Sequence, residues 1–321
     1  MMAAKQLGYI PNRMAQSLQR GRTFTLGAVM PYCSDHNVAS FLDAVTMEAT
    51  EYGFEMEIHF HRWSAVEEDR ILNNLAGSRV EGVILYNARN SYRDVAAFEA
   101  LHSLEIPIIG HARQAHPEFH TTIVIDRVPG AYAVGEHLAD LGHQRVDYLE
   151  PAFNRDSLAG LESTVDALLA SLKAGMKGKG DVRFYTTPVE TLPGRSQIEA
   201  SGFSAKSMYQ MTDAVIERYL DDRTDATAVV VANTMIAFRL IGLMRKRGMQ
   251  CPRDLSVVPF SVENWTELGP LPMTALEYST DLMARKAIAS ILAVKAGQKV
   301  SNTIKVPTVL VERESSAPPR K

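Results

Sequence analysis

Four basic side chains, Lys5, Arg13, Arg20 and Arg22, precede the first carboxylate of this 321-residue chain, Asp35. The whole chain carries a formal net charge of −3, so the front is a local concentration of cation in a slightly acidic protein. That pattern serves a polyanion. The spacing predicts a short helix there, with Asn12 as N-cap, Arg13 to Arg20 as body and Gly21 as the residue that closes it. A helix of about eight residues is marginal alone in water, because nucleation costs more than so few hydrogen bonds return. Leu18 gives it an exposed apolar residue, and the segment is suited to folding against a partner. Other chemistry is thinner. His59 and His61 put two imidazoles on one face of a strand, without a third ligand at telling spacing. His116 and His120 lie in a polar loop and read as solvated. No nucleophile elbow, P-loop, zinc-hydrolase or dinucleotide fingerprint occurs, so the expectation is a non-enzyme with no metal and no cofactor.

The elements that position these residues alternate between short β-rich runs and helical spacing, which predicts an α/β protein with parallel sheets. Strands are expected at Thr25–Met30, Met56–Phe60, Gly82–Tyr86, Pro107–Gly110 and Thr122–Ile125, with helices at Ala39–Tyr52, Glu67–Leu75 and Tyr92–Leu104 between them. The pattern restarts with strands at Val146–Leu149, Val182–Tyr185, Ala228–Val231 and Leu255–Pro259. Helices at Gly130–Leu141, Leu158–Ala174, Met208–Leu220 and Met235–Arg247 separate them. Two similar halves predict two Rossmann-like lobes rather than one large sheet. Hydrophobic residues make up 46% of the chain, enough to fill two cores. Two distant cysteines, Cys33 and Cys251, argue for a reducing compartment. The absence of a signal-like front or a run of 18 apolar residues adds an expectation of a cytoplasmic protein without membrane contact. The end, Ser315 to Lys321, is expected to fray.

The run Leu7-Gly8-Tyr9-Ile10-Pro11-Asn12-Arg13, followed by Ala15, Gln16 and Leu18, resembles the hinge of lac repressor family regulators. Thr23–Pro31 resembles the first strand of that family's effector-binding core. Further matches follow in order: Arg79–Leu85, Ile106–Ile109 with the His111-Ala112-Arg113 corner, Glu136–Arg145, Thr227–Asn233, Asp254–Val258 and Val306–Ser315. The resemblance implies a type I periplasmic-binding-protein fold of two lobes behind a hinge helix. It divides the chain into 1–22, headpiece remnant and hinge; 23–125 with 277–306, the N-terminal lobe; and 126–276 with 307–321, the C-terminal lobe. Family members carry a helix-turn-helix ahead of the hinge, and Ala3–Tyr9 resembles only the end of its last helix. Lacking those helices, the chain would lack the part that reads the major groove.

The resemblance also implies function. In the family the hinge lies in the minor groove of operator DNA, and a leucine at the position of Leu18 wedges between base pairs, a device known to kink DNA. It assigns Tyr9, Asn12, Arg13, Gln16, Leu18, Arg20 and Arg22 to DNA, the arginines as phosphate partners. In this fold ligands bind between lobes at the carboxyl ends of strands. That places Asp35, Asn37, Phe41, Trp63, His111 and Arg113 on one side of the effector site. Arg155, Asp156, Asn233, Ser261 and Asn264 stand on the other. Such a site suits a small polar effector, a sugar or related metabolite. Three positions depart from the sugar-binding pattern: Ser261 and Thr234 stand where an Asp is common, and Leu158 where an Arg is common. The expected function is a homodimeric, effector-responsive repressor; the alternative is a headless small-molecule binding protein without operator recognition.

Overall fold

The computed structural model describes residues 21–62, 64–86, 96–150, 155–186, 205–222 and 225–320. The first half alternates β1 (Thr25–Met30), α1 (His36–Glu51), β2 (Glu55–Phe60), α2 (Ala65–Gly77), β3 (Val83–Tyr86), α3 (Ala96–Ser103), β4 (Ile108–His111) and β5 (Thr121–Asp126). The second half repeats the theme with α4 (Arg127–Asp140), β6 (Arg145–Leu149), α5 (Arg155–Gly175), β7 (Asp181–Tyr185), α6 (Ala205–Asp222), β8 (Ala228–Val231), α7 (Thr234–Lys246), β9 (Ser256–Val262) and β10 (Ala275–Tyr278). The chain then returns through α8 (Thr280–Lys295) to β11 (Thr303–Pro307) and β12 (Val309–Val311).

Two six-stranded sheets result, in the orders β11-β5-β4-β3-β1-β2 and β12-β10-β9-β8-β6-β7. The inner orders are the same doubly wound pattern, and every pairing is parallel except β10 with β12. Each sheet therefore has a switch point, between β1 and β3 and between β6 and β8, where the loops at the carboxyl ends part and leave a crevice. Buried on both faces, the central strands are continuous apolar runs such as Val83-Ile84-Leu85 and Val229-Val230-Val231. Asp35, Ser64, Asn233 and Ser279 start α1, α2, α7 and α8 by accepting a backbone N–H in the first turn. α4 and α5 pack at close range because Gly135 and Gly175 face each other's backbones. A Cβ on Gly135 would stand 2.1 Å from the Leu172 carbonyl, and one on Gly175 2.1 Å from that of Tyr132.

The structure moves several sequence boundaries. β9 runs on through Pro259 to Val262 rather than stopping there. Pro259 sits where the strand changes neighbour, pairing with β8 up to Pro259 and with β10 from Phe260. β10 lies wholly in the second sheet, so the chain leaves that sheet after Tyr278, and β11 ends at Pro307 in the first. The end of the chain is not frayed. Val257 N donates to the Ser315 carbonyl at 2.9 Å, the Ser315 hydroxyl donates to the Val257 carbonyl at 2.5 Å, and Ala317 N donates to Ser256 Oγ at 3.1 Å. β10 pairs with β9 only from Phe260 onward. The tail thus covers the backbone edge at Ser256 and Val257 that would otherwise go unpaired.

Candidate functional site: the cleft between the sheets

The first wall is built at the carboxyl ends of β1, β3 and β4. Asp35 caps α1, its carboxylate accepting from Asn37 N at 2.8 Å. This turn presents two polar side chains that are nine-tenths or more buried, His36 and Asn37. Among the described residues neither His36 Nε2 nor Asn37 Oδ1 meets a hydrogen-bond partner. Burial lowers the His36 pKa against the opposing pull of Asp35, which favours the neutral ring. One turn on, the Phe41 ring lies 5.0 Å from Tyr86, and Tyr86 lies 4.8 Å from His111. His111 is buried, and burial brings its pKa down to about 4, so the ring is neutral near pH 7. Its Nδ1 lies 3.0 Å from the Ile123 carbonyl. A carbonyl can only accept, so Nδ1 carries the proton and Nε2 is left as an acceptor.

The second wall comes from β6, β8, β9 and the loop after β9. Glu150, directly after β6, is buried and accepts from the Tyr148 hydroxyl at 2.6 Å. Burial alone would raise its carboxyl. The Arg113 guanidinium and the Tyr148 hydroxyl outweigh that and hold it below the ordinary range. The Arg113–Glu150 ion pair crosses the cleft, since Arg113 follows β4 of the first sheet. Two further contacts cross it: Trp265 Nε1 donates to Ser40 Oγ at 3.0 Å, and the Tyr209 hydroxyl donates to the Ser34 carbonyl at 3.4 Å. The Trp265 ring also lies 4.8 Å from His36. Among the described residues the walls are thus joined by one part-buried ion pair and lighter contacts at the rim.

Several expected site residues are occupied in holding the fold. Asn233 caps α7, accepting from Ile236 N at 2.9 Å. Ser261 is fully buried, takes the Thr234 hydroxyl at 2.6 Å and donates to the Val262 carbonyl at 2.9 Å. Asn264 is exposed, with φ +68°, in the turn that sets up Trp265. Phe41 is core, 1% exposed. Asp35, Asn37, His111 and Arg113 come together on the first wall. Trp63 lies outside the described residues; Arg155 and Asp156 open α5, and their side chains lie outside the description. Of the DNA-directed set, Tyr9, Asn12, Arg13, Gln16, Leu18 and Arg20 lie outside the described residues. Arg22 donates to both Glu81 oxygens, at 3.0 Å and 3.3 Å from Nε and 2.6 Å from Nη2, and stacks over Phe24 at 4.3 Å. Lys295 shares the same carboxylate. Burial would raise Glu81, but Arg22, Lys295 and the Phe24 N–H hold it down at about 2.

The model of the periplasmic binding protein-like domain family matches residues 136–316, more than half of the chain. A transcriptional regulator, CelR of Thermobifida fusca, is 29% identical over 294 residues, covering 88% of this chain and 78% of the relative. The lactose operon repressor of Escherichia coli is 26% identical over 318 residues, covering 99% of this chain and 81% of the relative. The chain belongs to the lac repressor family. Among solved structures, the lac repressor dimer bound to operator and the anti-inducer ONPF superposes with a TM-score of 0.72 at 21% identity, covering 96% of this chain and 99% of that one. The CelR–cellobiose complex superposes with a TM-score of 0.69 at 23% identity, covering 98% and 89%. These likenesses establish the fold, the type I core of the family. Among the described residues no helix is long and apolar enough to cross a membrane.

Thr234, at the start of α7, and Ser261, on β9, are both fully buried. The two hydroxyls bond each other and seal off from the cleft, where a pair of carboxylates would repel. The cleft also contains residues the sequence did not single out: Tyr86, Arg127, Tyr148, Glu150, Tyr209, Trp265 and Tyr278. Glu150 carries a usable signal, an acid at the end of a strand that is otherwise buried. Trp265 stands beside Asn264 and could have been found as one of only two tryptophans. Arg127 and Tyr278 carry no such mark.

Proposed function

We propose that this family member is an effector-responsive DNA-binding regulator, most simply a repressor, that works as a homodimer in the cytoplasm. A small polar effector between the walls shifts the lobes and, through Arg22 and the segment before it, the pair of hinges. The observation that carries this reading is the cleft itself: two switch points face each other, joined by Arg113–Glu150 and Trp265–Ser40, with unsatisfied polar atoms on the first wall. Relatives support it, since the lac repressor is known bound to operator and CelR bound to cellobiose. The resemblance also puts the dimer face at the helices expected over Ala39–Tyr52 and Glu67–Leu75, which are α1 and α2. Met47 on α1, Tyr52 at its end, Ile58 on β2 and Val66 on α2 are 66%, 52%, 40% and 79% exposed, large apolar side chains that a partner subunit could cover. The hinge set keeps its proposed roles: Leu18 as wedge, Asn12 and Gln16 as groove or backbone contacts, Arg13 and Arg20 on phosphates, and Tyr9 as a further DNA contact. Arg22 is the joint to the core through Glu81.

An effector acts only through different affinities for the two lobe arrangements; moving a 1:99 equilibrium to 99:1 takes about 5.5 kcal/mol. The test is selection of DNA from a random library by the purified full chain, then affinity against salt. An enriched palindromic site, and a log–log salt slope that falls by about 0.9 per subunit in Arg13→Ala, support the reading. A chain that binds small molecules but enriches no DNA is the headless sensor instead.

A further inference from the structure

Arg127 is the first residue of α4, where the chain passes from the first sheet to the second. Its guanidinium lies 5.1 Å above the Phe260 ring, half-buried, and among the described residues it makes no ion pair and donates no hydrogen bond. Two described arginines nearby differ: Arg113 is held by Glu150, and Arg239, over the Tyr209 ring, by Asp213. Arg127 still lies within electrostatic reach of both walls. Its charge acts on Tyr86 and His111 of the first wall and on Tyr148, Glu150 and Tyr278 of the second. Glu150, the carboxylate among these, is already satisfied by Arg113 and Tyr148. A cation drawn partly out of water with no counter-charge is costly, and a charge-assisted hydrogen bond to an anion is the efficient remedy.

A second observation lies across the cleft. Asn37 Oδ1, in a residue 8% exposed, has no donor among the described residues. Asn37 stands one helical turn before Phe41, so both lie on the side of α1 that meets Tyr86, the tyrosine whose hydroxyl also senses Arg127. An unpaired cation and an unpaired acceptor thus flank the same tyrosine.

We infer that the effector carries an anionic group, a carboxylate or a phosphate, received by Arg127, and a hydroxyl or amine that donates to Asn37. This rests on the reading of the cleft as the effector site, but it is tested without DNA. A failure here leaves operator recognition standing, and the reverse also holds.

The experiment is thermal unfolding and calorimetry of the full chain with four probes at constant ionic strength: glucose, gluconate, glucuronate and glucose 6-phosphate. One or more of the acids is expected to stabilise and bind, and glucose is not. Gluconate or glucuronate alone marks a carboxylate, and glucose 6-phosphate alone a phosphate. Arg127→Gln is expected to weaken the acid by about 10–100-fold, the loss of one or two charge-assisted bonds, with the ligand-free melting temperature little changed. Arg127→Lys is expected to fall between the two, because a point charge replaces the fork. If Arg127→Gln does not fold, the contrast between glucose and its acids in the unmodified chain and in Arg127→Lys decides the matter. Binding of glucose as tight as that of its acids, acid binding unchanged in Arg127→Gln, or no binding of any acid overturns the inference.

Discussion

The two walls of the cleft use similar residue types in opposite ways. On the second wall polar groups are spent inside the protein: Asn233 caps a helix, Ser261 and Thr234 bond each other, and Glu150 holds Tyr148 and Arg113. On the first wall His36 Nε2 and Asn37 Oδ1 are buried without a partner among the described residues. A buried polar atom left unmatched costs free energy, about 1–3 kcal/mol, and is kept where something else can satisfy it. The difference teaches that the first wall, with Arg127, is where a ligand has most to offer, while the second is chiefly scaffold. Position at a strand end does not distinguish the two; the hydrogen-bond ledger does.

The largest effect is expected from Arg113→Ala, which breaks the bond between the walls. Among the described residues it leaves the Glu150 carboxylate, 5% exposed, with the Tyr148 hydroxyl and the more distant Arg127 charge. Removing one partner of a buried pair costs about 3–5 kcal/mol, discounted here to about 2–3 because Arg113 itself is 38% exposed. The melting temperature should fall and the scattering radius should rise as the lobes part. An unchanged radius would show that the ion pair does not hold the cleft shut. Next comes Glu81, the matching carboxylate within one lobe. Its folded pKa, about 2, lies below the usual 4.5. Its contribution is therefore complete above about pH 5 and is lost as pH falls toward 2. Glu81→Gln should lower stability at pH 7 by about 1–3 kcal/mol and flatten the acid limb of the unfolding curve. The same variant should leave the ligand affinity of the core as it was.

Asn233→Ala and Asn37→Ala put the contrast between walls to its most direct test. The first should cost about 1 kcal/mol in denaturant unfolding through the lost cap and hardly alter ligand affinity. The second should leave stability level or slightly higher, since Oδ1 has no bond to lose, and weaken ligand binding. The opposite assignment of the two phenotypes would reverse the roles of the walls. The smallest effect belongs to Trp265→Phe, which keeps most of the ring against His36 and loses the hydrogen bond to Ser40. About 0.5–1 kcal/mol of closure is expected to go, read as a higher effector Kd with little change in melting temperature.

Local sequence made much of the fold legible. Thr25–Met30 and Ala228–Val231 are strands at the expected residues, because a continuous β-branched or apolar run has few other fates in a two-layered α/β protein. Helices fell within a few residues of their expected places because apolar spacing and caps are properties of neighbouring residues. Pro259 misled, since a proline reads as a stop until the neighbouring strand is known to change there. The tail misled for a related reason, as its polar, proline-containing run is ordered only by an open edge at Ser256 and Val257.

What the sequence by itself determined was the alternation of elements, the doubling into two sheets and the list of strand-end loops that could face a ligand. Those follow from periodicity, which needs only the residues within a turn or two. What the tertiary structure decided was the use of each residue in those loops. Whether Asn233 caps a helix or Asn37 waits for a donor depends on distances between segments far apart in the chain. So does the pairing of Arg22 with Glu81, of Arg113 with Glu150 and of Ser40 with Trp265. Charge and hydrogen bonding act through space, and in this protein the cleft acquires its chemistry only when the two sheets bring those segments together.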